Sequence, residues 1–385
     1  MRVGDMVREL VGSCSSVVHA VRVAAVAALV EGIVRGGRLT PATIGRVLSN
    51  DALPKHGIKR VDRLLGNPKM VGDRLFFFLA ITHRLLRGCE RPVILVDWTQ
   101  AGGRHVALVA AVPIGGRALP IYVEAHPLKK LGNAAIEKRF LCALKAIVPT
   151  ECRSVIVSDA GFKGPFFQAV LDQGWDFVGR IRGTTKAVSS VGEVVSKEQF
   201  YSRASTTPTE IGSFGLFVQQ RIPCRLIVVR KRRRPGPKRP PVACKEEREM
   251  RQAALDPWLL ATSMSDSDAV SIVGIYARRM QIEETFRDTK NHRFGWSLGS
   301  VRLSTPQRTA VLLTLAALAF LVVTLIGMAA ERRGVHRGYQ ANTEKRRVLS
   351  FLVLAAAILR RRFFEPCSLD DLHTSLTLIP TKVSV

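Results

Sequence analysis

From Thr309 to Ala330 the chain runs for 22 residues without one charged side chain. A helix of about 20 such residues is long enough to cross a bilayer. If it does not, it must be wrapped on every side by other protein. Arg308 lies just before the run and Arg332 and Arg333 just after it, so basic residues flank both ends. The run is only mildly apolar in its Ala, Thr and Gly content, and it follows a polar, soluble-looking segment. These features favour a buried helix. A chain of 385 residues is long enough to build a core around one.

A second texture begins at Arg91. Val93-Ile94-Leu95-Val96-Asp97 is an apolar run closed by a carboxylate, the pattern of a buried strand. Arg104 to Val112 and Ala118 to Glu124 read as two more strands, separated by a Pro-Ile-Gly-Gly turn. Asn133 to Ile147 has helical spacing. Ser154 to Asp159 is again an apolar strand ending in Asp, Phe162 to Gln173 a helix, and Trp175 to Ile181 a strand. The order strand, strand, strand, helix, strand, helix, strand predicts an α/β protein with a mixed sheet and flanking helices.

Before this region, residues 1–88 read as helical. Val17 to Val34 is Ala- and Val-rich and is stopped by Gly36-Gly37. Thr40-Pro41 is an N-cap followed by proline at the first helical position, and Arg60 to Leu65 and Asp73 to Leu86 supply further helices. This segment suits a small DNA-reading domain, and equally an ordinary helical packing domain. Residues 184–255 break the α/β rhythm. Turns at Gly212 and Gly215 and short apolar runs such as Leu226 to Val229 predict a β-rich insertion. It carries a loop in which Arg230 to Arg234 are all basic, followed by Pro235 to Pro241. That loop is either a solvated charge run or a phosphate contact. Trp258 to Ser263 reads as one more strand, Ala269 to about Lys290 as a single helix, and 305–365 as helical.

Lys and Arg number 58 against 31 Asp and Glu, a formal charge of +27. Such an excess is the electrostatic footprint of a polyanion binder, and nucleic acid is the commonest polyanion. The seven cysteines are scattered and form no C-x-x-C pair, which argues against a disulfide framework and a structural zinc site. Acidic and basic residues alternate over Met1 to Glu9, unlike a signal peptide. A reducing cytoplasm is the expected setting.

Asp97 and Asp159 each close an apolar strand. If the strands are neighbours, both carboxylates emerge at one sheet edge, where α/β proteins place ligands. Carboxylate oxygens suit a hard divalent cation such as Mg2+. Farther along, Tyr276, Arg279, Glu283 and Lys290 lie at offsets of 0, 3, 7 and 14. On a continuous helix these fall within roughly 60° of one another. One stripe would then present a third carboxylate beside three donors for DNA phosphates. A salt-bridged surface helix would give the same stripe, since Arg279 and Glu283 are an i,i+4 pair.

These residues resemble the DDE transposases of bacterial insertion sequences. More narrowly, they resemble the cut-and-paste, hairpin-forming group marked by Tyr-x2-Arg-x3-Glu-x6-Lys, which Tyr276, Arg279, Glu283 and Lys290 match without a gap. Val96-Asp97-Trp98-Thr99 is similar to the first-aspartate segment and Ser158 to Phe162 to the second, although Ala160 stands where the family often has Arg. Arg63-Leu64-Leu65-Gly66-Asn67 is similar to a segment preceding the core.

The resemblance implies an RNase H-like core at 89–183 and 256–305, split by the β-rich insertion at 184–255. It also implies a helical DNA-binding domain at 1–88 and a C-terminal helical region at 306–385 with a dimerisation role. Asp97, Asp159 and Glu283 would bind two Mg2+ or Mn2+ ions. Tyr276, Arg279 and Lys290 would grip phosphates, and Trp258 would stack on a displaced base; an ordinary core aromatic is the competing reading of Trp258. The implied activity is metal-dependent endonuclease cleavage of terminal inverted repeats via a hairpin, with strand transfer into target DNA by a homodimer, in a bacterial, nucleoid-associated setting with no membrane partner. A catalytically inactive, domesticated DNA-binding protein and a non-transposing RNase H-like nuclease are the alternatives.

Overall fold

The computed structural model describes residues 2–48, 53–183, 185–231, 244, 255–293, 295–361 and 368–385. The chain forms two compact units, Met1–Ser154 with Met280–Val385, and Val155–Arg279. Each is a mixture of helices and strands, as the α/β reading requires.

The first unit opens with helices α1 (Val3–Leu10), α2 (Ala20–Gly36), α3 (Pro41–Arg46), α4 (Pro54–Leu65) and α5 (Pro68–Leu86). The sequence punctuation acts as expected. Gly37 ends α2 in the left-handed region at φ 63°, and the Thr40 hydroxyl accepts the Thr43 N–H at the start of α3. Proline opens α3, and also α4 and α5, which begin at Pro54 and Pro68, ahead of the expected Arg60 and Asp73. Three antiparallel strands follow: β1 (Val93–Gln100), β2 (His105–Ile114) and β3 (Arg117–Pro127), with β2 in the middle. The β2–β3 reversal takes only Gly115 and Gly116, at φ 59° and 88°. Two consecutive positive φ values are what a tight right-twisted hairpin needs, and glycine supplies them without strain. Helix α6 (Ala134–Ile147) completes this part.

The second unit begins with β4 (Val155–Ser158), α7 (Gly164–Asp172) and β5 (Asp176–Ile181). The two strands are parallel and joined by the helix. Short strands β6 (Ala187–Val188) and β7 (Val194–Val195) and helix α8 (Lys197–Tyr201) lead into β8 (Thr209–Leu216), β9 (Ile222–Val229) and β10 (Trp258–Thr262). Within this unit the strands run β4-β5-β10-β9-β8-β6-β7. The turns expected at Gly212 and Gly215 lie inside β8. Gly212, at φ 131°, marks a slip in register against β9, and the chain reverses at 217–221. A glycine within a strand can mark a bulge as readily as a turn. Of the basic loop, Arg232 to Pro241 lies outside the described residues.

The first unit resumes with α10 (Met280–Lys290), α11 (Pro306–Arg332), α12 (Phe351–Arg361), α13 (Leu369–Thr377) and α14 (Ile379–Val383); α9 (Ala269–Ala277) closes the second unit. Helix α11 carries the uncharged run. It is long and apolar enough to cross a membrane, yet every residue from Thr309 to Ala330 is buried. Helices α2, α4, α5, α12 and α13 and strands β2 and β3 pack against it. Polar links pin it in place: Arg74 donates to the Thr314 hydroxyl at 3.0 Å, and His105 meets Thr309 at 2.8 Å.

Candidate active site

In the first unit, Asp97 sits inside β1 rather than at its end. The apolar run stops at Asp97, but the backbone ladder continues: Trp98, Thr99 and Gln100 pair with Leu108, Ala107 and Val106 of β2. Residues two apart in a strand share a face, so Asp97 and Thr99 point the same way. Helix α10 packs against β1, β2 and β3. The Lys290 ammonium donates to the Thr99 hydroxyl at 2.6 Å. Burial depresses the Lys290 pKa, while the nearby Asp97 carboxylate pulls it the other way. Lysine, threonine and aspartate thus form one polar cluster.

Glu283 lies two helical turns before Lys290. Seven residues at about 100° each bring the two side chains within roughly 20° on the helix surface. The far flank of α10 is tied to β3. The Thr285 hydroxyl accepts the Ala118 N–H at 2.7 Å, and Arg117 donates to Asp288 at 2.8 Å. Between these flanks Ile282 is fully buried. The anchors on β3 therefore fix the rotation of α10 and, with it, the direction of Glu283 and Lys290. Both are half-buried.

The opposite face of β1 is held by a polar network. Trp98 donates its indole N–H to Glu137 of α6 at 2.9 Å, and its ring lies edge-on to His126 at 5.8 Å. His126 in turn meets Glu124 at 2.9 Å, and the Tyr122 hydroxyl donates to the same carboxylate at 2.8 Å. Burial alone would raise the Glu124 pKa, but these bonds and the charges of His126 and Arg139 bring it below the usual range. Glu137 is only 3% exposed, and burial raises its pKa against the effect of the Trp98 bond.

In the second unit, Asp159 follows β4 directly, and its carboxylate accepts the Gly161 N–H at 2.7 Å. This local turn uses the aspartate as its own brace. The helix expected from Ala269 to Lys290 is interrupted. Helix α9 ends at Ala277, and the N–H groups of Arg278 and Arg279 bond back three residues, to Ile275 and Tyr276, instead of four. Three-residue closure tightens the turn, so the angular arithmetic for a single stripe does not carry across it. Tyr276 and Arg279 belong to the second unit, and Glu283 and Lys290 to the first.

Tyr276 is 2% exposed, its ring edge-to-face with Trp258 at 4.8 Å, and the Arg279 guanidinium lies 5.8 Å from its centroid. Burial raises the phenol pKa; Arg279 and Arg180 oppose that, and Asp159 reinforces it. Tyr276, Arg279, Arg180 and Asp159 are therefore electrostatic neighbours. Trp258 is itself 7% exposed, with the Lys231 ammonium 3.8 Å from its ring centre. The contribution of Arg180 was not anticipated. It lies in β5, its pKa is lowered chiefly by burial and then by Arg182, and it donates to the Asp256 carbonyl at 3.3 Å. Its Nε is buried without a hydrogen-bond partner among the described residues. The alternation Arg180-Ile181-Arg182 at the end of a strand was the available signal.

Among the described residues no three His, Cys, Asp or Glu side chains stand together as a metal site. The donors Asp97 and Glu283 come from one unit and Asp159 from the other. As hard oxygen ligands they fit a divalent cation of the Mg2+ type.

A family model describing the transposase DDE domain matches residues 90–322. That is more than half of the chain. The chain belongs to this family. The matched segment of this DDE transposase contains Asp97, Asp159, Trp258, Tyr276, Arg279, Glu283 and Lys290. Transposases cut and join DNA, so the family makes the protein a nuclease and transferase and gives its positive charge a partner. No curated protein matches the chain.

Proposed function

We propose that the protein is the cut-and-paste transposase of a bacterial insertion sequence, working through a hairpin at each element end. The reading rests on one observation: the family match contains all three acids and an ungapped Tyr276-x2-Arg279-x3-Glu283-x6-Lys290. The supporting geometry comes in two parts. Lys290 bonds to Thr99 on the Asp97 face of β1, and Arg279, Arg180 and Asp159 all act on Tyr276.

In this reading the core is RNase H-like and the insertion at 184–255 interrupts it. Residues 1–88 bind DNA, and 306–385 serve dimerisation. The protein works in the cytoplasm without a membrane partner. Asp97, Asp159 and Glu283 would hold two Mg2+ or Mn2+ ions, which when bound activate the attacking oxygen and neutralise the leaving one. Lys290 and Arg279 neutralise the scissile strand's phosphates through charge-assisted hydrogen bonds, to which the Tyr276 hydroxyl adds a donor. Water attacks the phosphorus at the element end, and the bond to the 3′ oxygen breaks. The freed 3′-hydroxyl then attacks a phosphorus on the opposite strand, expelling the 3′ oxygen of the flanking DNA, and closes a hairpin. Reopening of the hairpin precedes strand transfer to the target. Trp258 stacks on the base displaced by the tight hairpin and replaces a lost base–base contact.

Glu283→Gln keeps the size of the side chain and removes its charge. Terminal-repeat DNA should still bind at close to wild-type affinity, while nicking disappears. Wild-type nicking by this variant would remove Glu283 from the site and with it this mechanism.

A further inference from the structure

Helices α3 and α4 meet backbone to backbone. A Cβ placed on Gly57 would lie 2.1 Å from the Gly45 carbonyl oxygen, and one placed on Gly45 would lie 2.5 Å from the Ile58 Cα. No side chain separates the helices there, so the contact fixes the rotation of α4. Gly57, Val61, Leu64 and Leu65 are its buried residues.

At about 100° per residue, Lys55, Lys59 and Arg63 advance by roughly 40° each and centre on the side opposite that buried face. All three are exposed, and no ion pair engages them among the described residues. The neighbouring acid, Asp62, is paired with Arg308 at the start of α11. Like charges four apart on a helix destabilise it by about 0.2–0.5 kcal/mol per pair. An anion alongside turns that repulsion into attraction. The three span about 12 Å of helix, and the major groove of B-DNA, about 12 Å wide, admits an α-helix.

We infer that α4 docks in the major groove of the element-end duplex through Lys55, Lys59 and Arg63. The inference rests on the transposase reading and specifies which element engages the end. The end duplex, rather than target DNA, is the occupant because an end must be chosen by sequence, and base edges are most fully distinguished in the major groove.

The test uses the full chain, duplexes taken from the DNA flanking the coding sequence, and a scrambled duplex of equal length. Each phosphate contact contributes about 0.9 to the slope of log affinity against log salt. The triple variant K55A/K59A/R63A should flatten that slope by about 2–3 and lose more affinity for the flanking duplex than for the scrambled one. The charge-keeping variant K55R/K59R/R63K should restore the slope. Removing three exposed cations elsewhere in the same unit, K345A/R346A/K382A, should leave it unchanged. Circular dichroism of each variant separates misfolding from lost contact, with the charge-keeping variant deciding if the alanine variant misfolds. A slope equal to that of the control, or equal losses on both duplexes, overturns the role of α4. Failure of the wild-type chain to bind any duplex overturns the transposase reading itself.

Discussion

Glu137 offers a way to separate geometry from charge behind the candidate aspartate Asp97. Its carboxylate is buried on α6 and accepts the indole N–H of Trp98, the residue after Asp97. Glutamine keeps an acceptor without the charge, and leucine keeps neither. Losing one hydrogen bond at a half-buried indole should make the leucine variant less stable than the glutamine variant by about 1 kcal/mol. Both replacements are neutral, so this gap should not vary with pH. The wild type should behave differently. Burial raises the folded-state pKa of Glu137, so the native state binds the proton more tightly than the unfolded chain. Its stabilisation is then fully present below the unfolded pKa and is lost as pH rises through the folded one. Each unit of upward shift is worth about 1.4 kcal/mol. Wild type should therefore lose ground to Glu137→Gln steadily across and above the ordinary glutamate range. Urea unfolding followed by tryptophan fluorescence at a series of pH values measures both gaps. Parallel wild-type and glutamine curves would refute the burial argument, and equal stability of the glutamine and leucine variants would refute the bond.

Two further outcomes are expected. Trp258→Ala should slow hairpin closure about 5- to 150-fold, the equivalent of about 1–3 kcal/mol of base stacking, with a smaller effect on the first nick. Trp258→Phe should recover much of the loss, whereas equal slowing of both steps would assign Trp258 a purely structural role. Gly57→Ala should destabilise the chain by about 1–3 kcal/mol through overpacking against Gly45, despite the helix propensity that alanine adds. An unchanged urea midpoint would mean that α3 and α4 separate without strain.

The elements were largely legible in the sequence because their signals are local. The β2–β3 hairpin followed from Gly115-Gly116 and the start of α3 from Thr40 and Pro41, whereas α5 begins at Pro68, ahead of the Asp73 expected from the sequence. The apolar run at 309–330 was legible as a buried helix because its only alternative was a bilayer. Ends and breaks were less visible. Asp97 looked terminal because hydropathy stops there, although main-chain pairing with β2 carries β1 on to Gln100. The stop at Arg278 and Arg279 was invisible, since both residues favour helix and only tertiary context decides the break. Of the candidate site, the carboxylates and the Tyr276 signature were readable as spacing. Arg180 and the Trp98–Glu137 contact were not, because they join residues far apart in sequence.

The first unit is encoded in two separated stretches, with the whole second unit between them. On a ribosome adding about 5–20 residues per second, the N-terminal helices and β1–β3 emerge roughly 10–40 seconds before α11. Their apolar faces against that helix, chiefly on α2, α5 and β3, have nothing to close on during the wait. Synthesis itself thus imposes an order in which the inserted unit can finish folding before its host. It also leaves a nascent intermediate with uncovered apolar surface for chaperones to shield.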